Sequence, residues 1–243
     1  MRTDPSHELS TLEHLLRAQW LRLRDWVDER DLALDPTQSV LPGWTVAELV
    51  AHLGMAMGAL TRAQPGPPDA EPLSFASYVT SYPDTAADIA ERTRRLADET
   101  RDGPLPAVEG MVAAGLAQLQ VLRDLGADPV VVARRGPVRL STLVLTRLLE
   151  LVVHGDDLAR SVGGTAPGTL GPLEPGAVEV VAGALRAALV ETGGPDLEVV
   201  DALAWTRLAC GRVPATPDAV RAALRPRYLG DGLPEVAGLL PLL

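Results

Sequence analysis

Residues 142–162 constrain the fold more than any other segment, because they are apolar on almost every side of a helix. A helix of this kind is stable only in a protein interior, so other helices must pack around it. Ser141 is predicted to cap its start, and Gly163 and Gly164 are predicted to end it. The sequence therefore predicts a mainly α fold in which this helix is buried.

Two earlier segments have apolar residues at helical spacing. Residues 9–27 and 46–62 each place apolar side chains three or four positions apart, which predicts two amphipathic helices. Asp4-Pro5 is predicted to begin the first, as a cap followed by proline at the first helical position. Residues 45–48 have the form of a capping box, which is typical of a helix start.

Three more segments have regular patterns before residue 163. Residues 89–96 predict a helix with many exposed charges, and residues 108–125 predict a more apolar one. Residues 130–132 and 138–140 flank Arg135-Gly136-Pro137 like the two strands of a short hairpin.

Residues 163–176 are rich in glycine and proline, a composition that breaks regular structure and often marks a domain boundary. We therefore predict a helical bundle over residues 1–165 and a small C-terminal domain over residues 175–243. The C-terminal patterns predict a helix over 177–192, a strand over 197–200, and short helices near 202–209 and 218–224.

Glu150 and His154 are polar residues on a helix that is otherwise predicted to be buried. They are four positions apart, so they share one face of the helix, and both should point into the interior. An ionised carboxylate buried without a partner is unfavourable by several kcal/mol. Glu150 therefore needs a cation, either Arg147 one turn earlier or a metal ion.

His52 is a third candidate ligand. It lies at the flank of the apolar stripe on the helix over residues 46–62, and the nearby Ala56 and Ala59 leave space beside its imidazole. Two histidines and one glutamate form the ligand set of a catalytic zinc site, which leaves one position for water or substrate. Taken alone, the spacing also fits structural roles for these residues, because single buried histidines are common.

Two motifs resemble the mycothiol-dependent maleylpyruvate isomerase family of the DinB superfamily: residues 41–53, LPGWTVAELVAHL, and residues 146–161, TRLLELVVHGDDLARS. The resemblance covers about the first 165 residues and implies a DinB-like four-helix bundle. It also implies a divalent metal, usually zinc, bound by His52, Glu150 and His154, and a low-molecular-weight thiol such as mycothiol as cofactor.

Many members of that family have an additional α/β domain that resembles sterol carrier proteins. Residues 205–212, WTRLACGR, and 238–243, GLLPLL, are similar to the end of that domain. Its usual strands are hard to find here, so we expect a shortened α/β or helical C-terminal domain. The resemblance also implies a catalytic arginine, for which Arg212 is the first candidate and Arg207 the second. Either could instead form an ion pair.

The remaining polar residues have structural interpretations beside functional ones. Asp157 could orient the imidazole of His154. Alternatively, either Asp156 or Asp157 could form an ion pair with Arg160. Trp44 is expected to pack at a helix start, and Cys210 to be a small buried residue. His7 and His14 lie on the first helix, where exposed structural roles are expected.

Composition excludes several functions. The net charge of −10 and the lack of a basic cluster argue against nucleic-acid binding. All 22 basic residues are arginine, so lysine Schiff-base chemistry is excluded. One cysteine allows no intramolecular disulfide, and neither a signal peptide nor an 18-residue uncharged run is found, which predicts a cytoplasmic protein without a membrane anchor.

The resemblance thus implies a metal-dependent isomerase or S-transferase that uses a mycothiol-like thiol on a small electrophile. One alternative is a non-catalytic binding module for a small apolar ligand. The other is a purely structural bundle in which Arg147 neutralises Glu150.

Overall fold

The computed structural model describes residues 8–67, 69–80, 86–163, 171–227 and 236–242, and most of these residues are helical. The helices are α1 (Leu9–Asp28), α2 (Val46–Gly58), α3 (Phe75–Val79), α4 (Ala86–Glu99), α5 (Pro104–Arg123), α6 (Leu140–Ser161), α7 (Pro175–Glu191), α8 (Ala202–Ala209) and α9 (Pro217–Ala223). The strands are β1 (Gln64–Pro65), β2 (Val130–Ala133), β3 (Gly136–Arg139), β4 (Leu197–Val199) and β5 (Leu224–Pro226). Short 3-10 helices lie at Leu32–Leu34, Ala59–Arg62 and Ala237–Leu239.

Helix α6 is buried along its length, as the sequence predicts. Helices α1, α2 and α7 contact it, while α4 and α5 pack against α2. Full burial of one Leu or Val side chain stabilises a fold by about 1.5–3 kcal/mol. The apolar residues that α6 buries are Leu140, Leu143, Val144, Leu148, Leu149, Leu151, Val152, Val153, Leu158 and Ala159. The prediction of a mainly α fold built around this buried helix is confirmed.

The helix starts follow the sequence signals only in part. At α2 the capping box is confirmed: the backbone N–H of Thr45 donates to Glu48, and that of Glu48 donates to the Thr45 hydroxyl. The prediction that Ser141 caps α6 is wrong. The helix begins at Leu140, and Ser141 donates from its backbone N–H and its hydroxyl to the carboxylate of Asp128, each at 2.8 Å. The predicted start at Asp4-Pro5 lies outside the described residues.

The predicted hairpin is present within a three-stranded antiparallel sheet, but its turn lies earlier than predicted, because Gly136 and Pro137 already belong to β3 and Leu140 begins α6. Strands β2 and β3 pair with Ala133 opposite Gly136, so Arg134 and Arg135 form the turn between them. The sequence did not predict β1, which pairs with the other edge of β2 and places Gln64 opposite Val132. Helix α2 was expected to reach residue 62, but it ends at Gly58 and continues as a 3-10 helix into β1.

The C-terminal residues combine helices with a two-stranded sheet. Helix α7 contacts α1, α3 and α6, and α8 packs against α7. Strands β4 and β5 pair antiparallel, with Leu197 opposite Pro226. The sequence predicted β4 but not β5. The helix predicted over 218–224 ends at Ala223, and Leu224, which was assigned to that helix, is the first residue of β5. The division into domains over 1–165 and 175–243 stays a prediction.

Among the residues that the structure describes, α5 alone is long and apolar enough to cross a membrane by length and composition. In the structure it packs along α2, with Val108, Val112 and Leu119 buried. The two helices approach closely at Gly115, where a Cβ would lie 2.4 Å from the carbonyl oxygen of Met57. The apolar residues of α5 on this face therefore contribute to the bundle core.

Candidate metal centre

The structure brings together the three side chains that the sequence predicts as metal ligands. His52 comes from α2, and Glu150 and His154 come from one face of α6. The Oε2 atom of Glu150 lies 3.4 Å from the Nε2 atom of each histidine. One ligand atom from each residue lies within 4.8 Å of the other two. This spacing suits three ligands around one cation, and it occurs in a part of the bundle that is closed to most solvent.

Each imidazole is oriented from its far side. The Nδ1 atom of His154 donates to Asp157, at 3.1 Å, because a carboxylate can only accept. The Nδ1 atom of His52 lies 3.4 Å from the hydroxyl of Thr93 on α4. In both rings Nε2 is thereby directed toward Glu150 and is available as a ligand atom. Outer partners of this kind fix the tautomer and the ring plane of metal-binding histidines.

Thr93 contributes to the site, although its sequence position did not predict this role. Its side chain is fully buried, although it is polar and α4 has many exposed charges. A threonine in the apolar stripe between Ile89 and Leu96 was the available signal, because a buried hydroxyl requires a hydrogen-bond partner. That partner is on another helix, so helical spacing alone could not identify it.

Burial and hydrogen bonding determine the charge states in the cluster. Burial lowers the pKa of His52, and its hydrogen bond with Glu150 offsets this only in part. Burial also disfavours ionised Glu150, but hydrogen bonds with His154 and His52 outweigh it. Together with the positive charge of Arg147 they hold the pKa of Glu150 well below its usual range. Burial is likewise outweighed at His154, whose pKa is raised by hydrogen bonds with Asp157 and Glu150. Glu150 is therefore ionised at neutral pH, as a metal ligand must be.

Arg147, the alternative cation for Glu150, lies close by but makes its shorter contacts elsewhere. Its Nη1 donates to the carbonyl oxygen of Ala56 at 2.9 Å, and its Nε donates to the hydroxyl of Thr146 at 3.3 Å. Its Nη2 is 3.9 Å from Oε1 of Glu150. The arginine therefore balances charge on the Oε1 side of the carboxylate, while Oε2 faces the imidazoles.

Two ion pairs connect α6 to the C-terminal residues. The Nε atom of Arg212 donates to both carboxylate oxygens of Asp157, at 3.0 and 3.1 Å, and Arg207 donates to both oxygens of Asp156, at 2.8 and 2.5 Å. Arg160 lies farther from Asp157, at 4.0 Å. Arg212, the predicted catalytic arginine, thus reaches the cluster through Asp157 and His154. The sequence left open an ion pair for either arginine, and the structure contains both.

The other residues singled out in the sequence lie around or away from the cluster. The Trp44 ring packs edge-on against His52, with centroids 5.1 Å apart. Cys210 is buried, and burial raises its thiol pKa to about 12. His14 is exposed on α1. His7 lies outside the described residues.

A cavity of about 410 Å³ lies beside the cluster. His52 and Glu150 line it, so two of the three candidate ligands border open space. Ala56 and Ala59 line it as well, which confirms that the small residues near His52 leave room there. The volume lies within the range of about 300–1,000 Å³ that is usual for ligand pockets.

A helical bundle with a glutamate between two histidines beside a cavity defines a DinB-like protein with a candidate metal site. The chain belongs to the family described as mycothiol maleylpyruvate isomerase N-terminal domain, whose sequence model matches residues 14–159. The family that the two motifs resemble is therefore confirmed.

One solved structure agrees with this assignment at the level of the fold. The crystal structure of a mycothiol-dependent maleylpyruvate isomerase aligns with a TM-score of 0.54 and 19% identity, covering 80% of this chain and 76% of that one. A mutant of a mycothiol-dependent maleylpyruvate isomerase aligns over the same shares of both chains, with 19% identity and a TM-score of 0.49. No curated protein matches the chain.

Proposed function

We propose that the chain is a thiol-dependent isomerase acting on a small electrophile, with zinc held by His52, Glu150 and His154. The arrangement that carries this proposal is the cluster of two Nε2 atoms and one carboxylate oxygen at the edge of a cavity. Membership in a family named for a mycothiol-dependent isomerase supports the thiol, for which we propose mycothiol or a similar molecule.

The residues present fit such a metal. Mixed nitrogen and oxygen donors suit zinc, and three protein ligands leave a position for another molecule. Both imidazoles are held by outer partners, Thr93 and Asp157, and the carboxylate is ionised. A divalent cation bound here would favour the thiolate form of a cofactor thiol, which is the nucleophilic form.

The surrounding residues then have defined tasks. Because His52 and Glu150 border the cavity, we propose that thiol and substrate meet there. Arg147 also lines the cavity, so its guanidinium can stabilise negative charge that develops on the substrate. A cofactor thiol bound there would supply the nucleophile that adds to an electrophilic carbon and later leaves it, which would restore the thiol and complete an isomerisation. Were the sulfur to stay, the same site would catalyse S-transfer.

Arg212 is proposed as a positioning residue. Within the described part of the chain it does not line the cavity and has no hydrogen bond or ion pair with a candidate ligand, and it is bound to Asp157. By fixing that carboxylate, Arg212 holds the imidazole of His154 in its plane. This role brings the C-terminal residues into the function of the bundle.

The proposal is tested by incubating the purified protein with maleylpyruvate, with and without mycothiol, and following the substrate by ultraviolet absorbance. We expect conversion only when the thiol is present, and its loss in His154→Ala. The matched control is His14→Ala, which removes an exposed histidine from α1 and should leave the rate unchanged. Equal conversion without thiol, or full activity in His154→Ala, would contradict the proposal.

A further inference from the structure

A second cavity, of about 320 Å³, lies on the other side of α6 from the candidate metal centre. Residues two positions apart on a helix, such as Leu143 and Leu145, point in nearly opposite directions. Leu143 lines the cavity beside the metal centre, whereas Leu145 lines the second one. The second cavity is bounded by α3, the start of α6 and the end of α7, and no described residue lines both cavities.

The walls of the second cavity are mainly apolar. Phe75 from α3 and Leu145 from α6 supply large apolar side chains. Helix α7 supplies only small ones along its wall, at Ala184, Ala187 and Ala188, and their size leaves the space open. The volume lies near the lower end of the range of about 300–1,000 Å³ that is usual for ligand pockets. The cavity therefore suits a small molecule with an apolar part.

Two exposed side chains of opposite charge lie among the lining residues. Arg139 is the last residue of β3, directly before α6, and Glu191 is the last residue of α7. They do not pair with each other, and within the described part of the chain neither forms an ion pair with any other residue. The cavity thus has one cationic and one anionic group that the described protein leaves without a charged partner.

Both groups are held in place and keep free hydrogen-bonding atoms. The Nη1 atom of Arg139 donates to the carbonyl oxygen of Asp128 at 3.0 Å. The Oε1 atom of Glu191 accepts from the hydroxyl of Ser74, which also caps the start of α3. Among the described contacts, Nε and Nη2 of Arg139 and Oε2 of Glu191 have no hydrogen bond. These atoms are available to a ligand.

We propose that the second cavity binds a small zwitterion with an apolar side chain, as an apolar amino acid has. Arg139 binds the carboxylate through its free N–H groups, and Glu191 binds the ammonium group through Oε2. Both are charge-assisted hydrogen bonds, which are stronger than those between neutral groups. The apolar side chain then packs against Phe75, Leu145 and the alanines of α7. This site is separate from the proposed isomerase site and does not depend on its chemistry.

Charge complementarity favours a zwitterion over other ligands of this size. A ligand with a single charge would leave either Arg139 or Glu191 without a charged partner. A neutral apolar ligand would remove water from both groups without replacing its hydrogen bonds, which is unfavourable. A zwitterion satisfies both groups at once, and its apolar side chain gains from burial between α3 and α7.

Calorimetric titration of the purified protein with L-phenylalanine and with L-leucine tests the proposal. L-phenylalaninamide lacks the carboxylate, and N-acetyl-L-phenylalanine lacks the ammonium group. We expect L-phenylalanine to bind at least tenfold more tightly than either derivative, because each derivative loses one charge-assisted contact. Failure of both amino acids to bind at millimolar concentration would overturn the proposal, as would equal affinities for L-phenylalanine and its two derivatives.

Two variants assign each end of the ligand to a residue. Arg139→Gln should weaken L-phenylalanine about tenfold and leave the affinity for L-phenylalaninamide unchanged, since that derivative has no carboxylate to lose. Glu191→Gln should likewise weaken L-phenylalanine and leave N-acetyl-L-phenylalanine unchanged. The matched controls are Arg17→Gln on α1 and Glu179→Gln on α7, which remove the same charges from exposed positions outside the cavity. Equal weakening in all four variants would contradict the assignment.

Two further measurements place the ligand in this cavity. Ala187→Phe fills the space beside α7 and should abolish binding of L-phenylalanine, while far-UV circular dichroism stays as in the parent. Treatment with a chelator should leave binding unchanged, because His52 and Glu150 line the other cavity. Binding that survives in Ala187→Phe, or that is lost on chelation, would overturn the proposal. Absence of thiol-dependent conversion would refute the proposed function and leave this result standing.

Discussion

Asp157→Asn tests how the candidate metal centre is held in place. The carboxylate of Asp157 is fully buried and accepts from Nδ1 of His154 and from Nε of Arg212. Both partners are donors, so the NH2 group of an asparagine would face a donor in either orientation of the amide. The substitution keeps the size of the side chain and removes its charge.

Two effects of different size follow from these contacts. Loss of the outer partner of a metal-binding histidine typically weakens metal affinity by about 10- to 100-fold, or about 1.4–2.7 kcal/mol. Breaking the ion pair with Arg212 should lower the free energy of unfolding by about 1–3 kcal/mol. This is less than a fully buried pair would lose, because the Arg212 side chain is 24% exposed.

Asp156→Asn is the matched control. Asp156 is the neighbouring residue and also forms an ion pair with an arginine, Arg207, whose side chain is 32% exposed. Unlike Asp157, it has no hydrogen bond with His154 among the described contacts. Urea unfolding should show a similar loss in both variants. Zinc competition against a chromogenic chelator should show weaker binding in Asp157→Asn alone. Equal zinc affinity in the two variants would refute the reasoning.

Three further predictions test other parts of the structure. Glu150→Gln should lose metal. Compared with metal-free parent, the metal-free variant should also unfold at lower urea concentration, because Arg147 loses a nearby negative charge. A metal content equal to that of the parent would instead support the structural interpretation of Glu150. Gly115→Ala should lower the free energy of unfolding by about 1–3 kcal/mol with unchanged metal content, because its Cβ would lie 2.4 Å from a carbonyl oxygen of α2; parental stability in urea would contradict that contact. Cys210, with its pKa raised to about 12, should react with a thiol reagent at pH 8 roughly a thousandfold more slowly in the folded than in the urea-unfolded protein. Since the folded protein retains a proton that the unfolded chain loses, stability should fall as pH rises from about 9 toward 12, and a flat profile would count against burial of the thiol.

Local patterns were sufficient for the long elements and for two of the candidate ligands. Helix α6 was predictable because its apolar residues leave no polar face, and the four-residue spacing of Glu150 and His154 places them on one side of it. His52 required more, because nothing in the spacing of α2 shows which neighbour it faces. The two motifs supplied that pairing through the family resemblance.

The predictions failed where distant residues decide the structure. Ser141 has the side chain of a helix cap, but Asp128 from the preceding loop binds its hydroxyl and its backbone N–H. Strand β1 is two residues long, too short for any alternation to be visible in the sequence. Strand β1 and the hairpin turn bring Arg62, Arg134 and Arg135 to the cavity beside the candidate metal centre, so the sequence alone could not predict this lining.

The most direct test of the central claim is the metal content of the purified protein, measured by elemental analysis together with far-UV circular dichroism. We expect about one zinc or other divalent metal per chain in the parent. In His52→Ala and His154→Ala we expect close to none, with the helical signal retained because apolar packing supplies most of the stability. A folded, metal-free parent that zinc cannot reconstitute would contradict the claim, as would variants that keep their metal.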